Sequence, residues 1–194
     1  MRVTGGQWRG RRLESVKGDA VRPTTDRVRE ALFNILRHDI GDSMIVDCCC
    51  GCGTLGIEAL SRGAKHVDFV DLSPASLKTT QANLERCQAP TSTWRLHRSD
   101  AARWLTRHLE SAAGPVVVLA DPPYEGPAAA ALAEVLLAAS PTALQMAAFE
   151  HAKGAGPIAD TDCAWTAETR SYGQSHLTLL RPAPAPDQPE ADHA

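Results

Sequence analysis

Met44-Ile45-Val46-Asp47-Cys48-Cys49-Cys50-Gly51-Cys52-Gly53-Thr54-Leu55-Gly56 is the stretch that decides the fold. Met44 to Cys48 reads as a buried strand, and Thr54 to Arg62 as a helix. The glycine-rich turn between them has the G-x-G-x-x-G form, which lets backbone approach a ligand at a helix N-terminus. Asp71 follows Gly51 by twenty residues, at the end of a second strand read over Val67 to Asp71. An acid at that place suits the hydroxyls of a ribose.

Outward from this unit the pattern keeps alternating. Pro74 to Cys87 is expected as a helix, Thr93 to His97 as a strand and Ala101 to Leu109 as a helix. Val116 to Ala120 is a strand, Pro127 to Ala139 an alanine- and leucine-rich helix, and Leu144 to Glu150 a fifth strand. Such alternation means an α/β fold, a doubly wound and mostly parallel sheet with helices on both faces. Trp165 to Tyr172 and Ser175 to Arg181 flank Gly173-Gln174 and read as a closing antiparallel hairpin. Before the first strand, Met1 to Leu13 reads as an extended arm or small hairpin. A helix over Arg27 to Arg37 follows it, with Thr25 or Asp26 as its cap, apolar on the face of Val28, Leu32, Ile35 and Leu36 and charged mostly elsewhere. Residues 1–40 are expected to form one unit with a catalytic domain over 41–181, and the Pro/Ala/acid-rich residues 182–194 to be disordered.

At 194 residues, 43% hydrophobic and 22% charged, the chain has the make-up of a soluble globular protein. The N-terminus shows no secretory signal, and the apolar stretch Ala128 to Ala139, interrupted by Glu134, is too short to span a bilayer. A cytoplasmic location is expected. The net charge of −3 divides unevenly, with +4 in residues 1–30 and −7 in the remainder. A basic arm on an acidic body suggests a polyanionic partner. Cys49 and Cys52 form a C-x-x-C, but Cys87 and Cys163 are single and distant. No metal site is expected.

By spacing alone the glycine turn admits either a dinucleotide or S-adenosylmethionine. Charge separates them. Asp47, four residues before Gly51, would oppose a pyrophosphate and favour the ammonium and sulfonium of S-adenosylmethionine. At ~5 Å and an effective dielectric of ~20, such a charge pair is worth ~3 kcal/mol either way. Asp100, after the third strand, is placed for the adenine amino group and equally for capping the helix that follows.

Asp121-Pro122-Pro123-Tyr124 leaves the carboxyl end of the fourth strand. Two prolines carry carbonyls in a stiff backbone without N–H groups, beside a carboxylate and an aromatic ring. That set accepts two hydrogen bonds from a planar amine while the ring stacks on its base.

The two motifs together describe an amino-methyltransferase, and here the likeness becomes specific. Gly5-Gly6-Gln7-Trp8-Arg9-Gly10-Arg11, Arg22-Pro23-Thr24-Thr25-Asp26-Arg27-Val28-Arg29-Glu30, the run from Gly51 to Ala64, and Asp121 to Tyr124 resemble the RsmD family of 16S ribosomal RNA guanine-N2 methyltransferases. The resemblance implies methyl transfer from S-adenosylmethionine to the 2-amino group of one guanine. A monomer is expected. It implies Asp121, Pro122, Pro123 and Tyr124 as the target-base site. Asp47, Gly51, Gly53, Asp71, Leu72, Asp100, Ala101 and Asn34 would contact the cofactor. Arg9, Arg11, Arg12, Arg22, Thr24 and Thr25 would face RNA. The thiols at Cys48, Cys49, Cys50 and Cys52 depart from the family, which usually has larger or non-thiol residues there, and raise the question of thiol reactivity. Two other readings share some of these features. A DNA adenine amino-methyltransferase uses the same Asp-Pro-Pro-Tyr, but no separate recognition domain fits in the chain. A dinucleotide-dependent oxidoreductase would use the glycine turn.

Overall fold

The computed structural model describes residues 1–16, 26–123, 126–153, 156 and 164–184. A seven-stranded sheet forms its centre: β1 (Met44–Cys48), β2 (His66–Asp71), β3 (Trp94–Arg98), β4 (Val116–Ala120), β5 (Leu144–His151), β6 (Trp165–Tyr172) and β7 (Ser175–Pro182). Their order is β3-β2-β1-β4-β5-β7-β6. β1 to β5 are mutually parallel, and the β6–β7 hairpin is added antiparallel through β7. The helices are α1 (Asp26–Ile35), α2 (Thr54–Ser61), α3 (Pro74–Cys87), α4 (Ala101–Ser111) and α5 (Ala128–Ala138).

Alternate strand residues feed two cores. Ile45, Val67, Phe69, Val117 and Leu119 join the cluster that holds α1, α2 and α3. Val46, Val70, Val118 and Ala120 join the cluster that holds α4 and α5. That is the period-two rule of a strand buried on both faces. Among the described residues, no helix is long and apolar enough to cross a membrane.

Local chemistry sets the helix ends. Ser73 caps α3 by accepting from Ser76 N at 3.2 Å, with Pro74 in the first turn. Asp100 caps α4 by accepting from Arg103 N at 2.9 Å. Gly53 precedes α2 at φ 78°, and a Cβ there would stand 2.6 Å from Thr80 Cγ2. At Gly56 a Cβ would stand 2.3 Å from Phe69 Cε1, so only glycine lets α2 lie this close to β2.

The N-terminal segment is a docked hairpin. Val3 N donates to Arg11 O and Gly10 N to Val3 O, while Val3, Trp8 and Leu13 are buried in the first core. Glu58 of α2 accepts from Thr4 N and Thr4 Oγ1, both at 2.7 Å.

On α1, Arg29 is fully buried. Its Nη2 donates to Arg2 O at 2.6 Å and to Asp26 Oδ1 at 2.7 Å, and its Nε lies 3.6 Å from Glu58 Oε2. This buried charge pins three segments, because an unpaired guanidinium inside would be strongly destabilising. Pro182, assigned to the tail from sequence, closes β7 instead.

Candidate active site

The strand order reverses direction at β1 and β4, which lie side by side with Cys48 paired to Ala120. Open α/β sheets bind ligands at such a place, outside the carboxyl ends of the strands. A cavity of about 360 Å³ opens there, a usual size for a small-molecule site. Asp47, Gly51, Asp71, Leu72, Asp100 and Ala101 line one part of it, and Asp121 and Pro123 another.

The glycine turn is held from all sides. Asp47 Oδ2 accepts from Gly56 N at 2.8 Å, so the carboxylate anchors the first turn of α2. Asp71 Oδ2 accepts from Gly51 N at 2.9 Å and its Oδ1 from Ser73 N at 2.8 Å. Thr80 Oγ1 donates to Gly51 O at 2.9 Å, and Asn83 Nδ2 to Cys52 O at 2.9 Å. Asn83 also joins the arm, accepting from Glu14 N at 2.8 Å and donating to Glu14 O at 3.0 Å. Gly53 contributes its left-handed backbone rather than a place in the lining.

Four acidic residues, Asp47, Asp71, Asp100 and Asp121, line the cavity, and no Lys, Arg or His lines it among the described residues. Asp47 feels this most. Burial pushes its pKa up to about 8, aided by Asp121 and Asp71 and opposed by the Gly56 N–H. A cation in the cavity would relieve this repulsion, whereas a pyrophosphate would add to it. The acceptor set of the wall therefore fits a cationic ligand such as S-adenosylmethionine.

The thiols around the turn are all raised above their ordinary pKa. Burial, then the charges of Asp71, Asp47, Asp121 and Asp100, push Cys49 up to about 12, and burial raises Cys50 well above its ordinary value. Nucleophilic thiolate is suppressed at neutral pH.

At the β4 end, Asp121 N donates to Cys48 O at 3.4 Å, tying the two strand ends together. Pro122 is buried and Pro123 exposed. Tyr124 lies outside the described residues, as do Arg22, Thr24 and Thr25. Asn34 is not brought to the site: it is exposed on α1 and absent from the cavity wall. Its neighbour Phe33 is fully buried in the core, so the helix presents its apolar side inward and Asn34 outward. Arg9 and Arg12 are exposed on the docked hairpin. Arg11 Nη1 donates to Arg86 O at 2.9 Å. Met1, Ser15 and Val16 also line the cavity. Sequence reasoning missed them, because nothing local announces that the hairpin docks on Glu58 and Asn83.

The family model described as Conserved hypothetical protein 95 matches residues 1–181. Ribosomal RNA small subunit methyltransferase D of Escherichia coli strain K12 is 39% identical over 124 residues, covering 64% of this chain and 60% of that protein. The aligned segment thus spans less than two thirds of that relative's length. The solved structure of the Escherichia coli protein yhhF superposes with a TM-score of 0.76 at 31% identity, covering 94% of this chain and 97% of that one. Magnesium protoporphyrin IX methyltransferase of Synechocystis, solved with bound SAM, shares the fold with a TM-score of 0.54 at 18% identity, covering 80% of this chain and 78% of that one.

Proposed function

The chain belongs to the Conserved hypothetical protein 95 family, the RsmD methyltransferases, and from that premise we propose that it methylates the exocyclic 2-amino group of a guanine in 16S ribosomal RNA, using S-adenosylmethionine. The observation that carries this reading is the shared cavity. The glycine turn after β1 and, after β4, Asp121 and Pro123 line one acidic cavity.

S-adenosylmethionine supplies a sulfonium methyl when bound. The remaining work falls to the chain. A guanine amine is a poor nucleophile, since its lone pair is delocalised into the ring. Asp121 and the Pro122 carbonyl accept its two hydrogens and favour a pyramidal nitrogen whose lone pair faces the methyl. Holding the reactants in line supplies ~7–11 kcal/mol of the barrier. An aromatic ring stacked on the base, the part the resemblance gives to Tyr124, is worth ~1–3 kcal/mol. The base must be unpaired or splayed out to enter. Asp121 takes up the released proton. Arg9, Arg11 and Arg12 contact phosphates without reading sequence.

Transfer of labelled methyl to small subunits from a strain lacking the homologous enzyme tests the reading. Label recovered as N2-methylguanosine is the expected result. Label in duplex DNA adenine, or in no nucleic acid, would refute it.

A further inference from the structure

The charge of −7 carried by residues 31–194 is an average that hides a basic island. Between Trp94 and His108 stand Arg95, Arg98, Arg103 and Arg107 against the single acid Asp100. The fold gathers them. β3 is one of the two edge strands of the sheet, and α4 follows it directly. All four arginines are exposed, and none forms an ion pair among the described residues. Arg103 and Arg107 share one stripe of α4, with Arg107 Nε donating to Arg103 O at 3.3 Å. Arg95 lies on the same face of β3 as His97, two residues on.

Aromatic planes run between the arginines. The half-buried Trp104 ring lies 4.6 Å from His97 and 4.6 Å from His108, stacked on the latter at 14°. His97 is held by Asp68 Oδ1, 2.6 Å from its Nε2, which fixes the first ring of the stack. Guanidinium groups around half-exposed aromatic faces suit phosphates and unstacked bases. An acidic protein surface would use the arginines and leave the aromatic faces without a partner of their kind.

The position fits the site. Arg98 and Arg103 flank Asp100, Ala101 and Ala102, which line the cavity. β3 lies three strands from β4, or ~14 Å at ~4.8 Å per strand. The docked hairpin, with Arg9 and Arg12, packs instead against α2 and α3.

We propose that the sheet edge formed by β3 and α4, with Arg95, Arg103, Arg107 and Trp104 on one side and Arg98 at the carboxyl end of the strand, is a second RNA-docking surface, gripping the substrate on the side of the cavity away from Asp121. The proposal rests on the reading of the site as an RNA methyltransferase and extends it from one basic zone to two. Arginines at these positions set affinity and register for RNA, and the chemistry at Asp121 stays untouched by them.

The test uses the full chain and naked 16S ribosomal RNA over a range of salt. R95Q/R98Q/R103Q/R107Q is expected to weaken RNA binding at least ~10-fold, and to lower the slope of log affinity against log salt by ~0.7 for each phosphate that the variant no longer neutralises. Affinity for S-adenosylmethionine and the melting temperature should stay at wild-type values. If the quadruple variant misfolds, R103Q/R107Q gives the same reading with a slope change half as large. W104A should weaken RNA binding without changing the salt slope. Unchanged RNA affinity and slope in a folded variant that still methylates RNA overturn the proposal and leave the proposed function standing. Loss of binding to assembled subunits with naked RNA binding intact assigns the face to a protein partner and also overturns it. A wild-type chain that neither binds nor methylates RNA overturns both.

Discussion

The two loops that meet across the β1–β4 crevice are built on opposite principles. The turn after β1 directs its polar groups to itself and its neighbours: Gly51 N, Gly51 O, Cys52 O and Gly56 N are each tied to a side chain of the surrounding helices and strands. The loop after β4 contains two prolines, which bring carbonyl acceptors and no N–H groups. One loop is fully prescribed by the protein. The other is made of acceptors suited to donors that a ligand supplies. A cofactor bound in every turnover favours the first design. A base that must enter, be pinned and leave favours the second.

Removing the acid from the β4 loop should separate the two most sharply. Asp121→Ala is expected to lower turnover by about 10³-fold and to leave S-adenosylmethionine affinity within a few fold, read by single-turnover transfer and calorimetry. Normal turnover in this variant would erase the distinction. The converse change strikes the β1 loop. Gly53→Ala forces a side chain into left-handed backbone 2.6 Å from Thr80 Cγ2. At ~1–2 kcal/mol for the conformation alone, cofactor affinity should fall about tenfold along with the melting temperature, and turnover at saturating cofactor should hold.

A pH titration sharpens the contrast further. With Asp47 raised to about 8 by burial, its protonated form dominates at pH 7 in the free protein, and a bound cation favours the ionised form. Binding then releases a proton, so cofactor affinity rises with pH and levels off above about 8, by at most about tenfold per unit. The ligand-free fold shows the opposite trend: a carboxyl with a raised folded-state pKa loses its stabilising effect as pH rises from its unfolded value through about 8. Asp47→Asn should flatten this component of both curves. The smallest effect concerns the thiols. With Cys49 raised to about 12, iodoacetamide at about pH 7.5 should modify it far more slowly than an exposed thiol, as counted by intact mass. Rapid modification would show that the carboxylates do not govern this wall.

Much of this was legible in the chain because the signals are local. Met44–Cys48, Pro74–Cys87 and Val116–Ala120 fall where apolar runs and turn residues place them, and the spacing from Gly51 to Asp71 put the acid beside the turn. What was hidden depends on contacts distant in sequence. Nothing in the sequence marks Arg29 as buried, because Glu58 and the carbonyl of Arg2 meet it from other segments. Asn34 reads as a cofactor contact and faces outward, because Phe33 claims the inward side. Asn83 carried no motif, yet it bridges Glu14 of the arm to Cys52 of the glycine turn.

Selection of a cationic methyl donor by the carboxylate wall is the point on which the rest depends. Calorimetry at pH 7 in buffers of different ionisation heat, with S-adenosylmethionine and NAD in parallel, measures this directly. Saturable binding of S-adenosylmethionine with net proton release, and no binding of NAD, is the predicted result. Tighter binding of NAD, or binding of S-adenosylmethionine with no proton released, would contradict it.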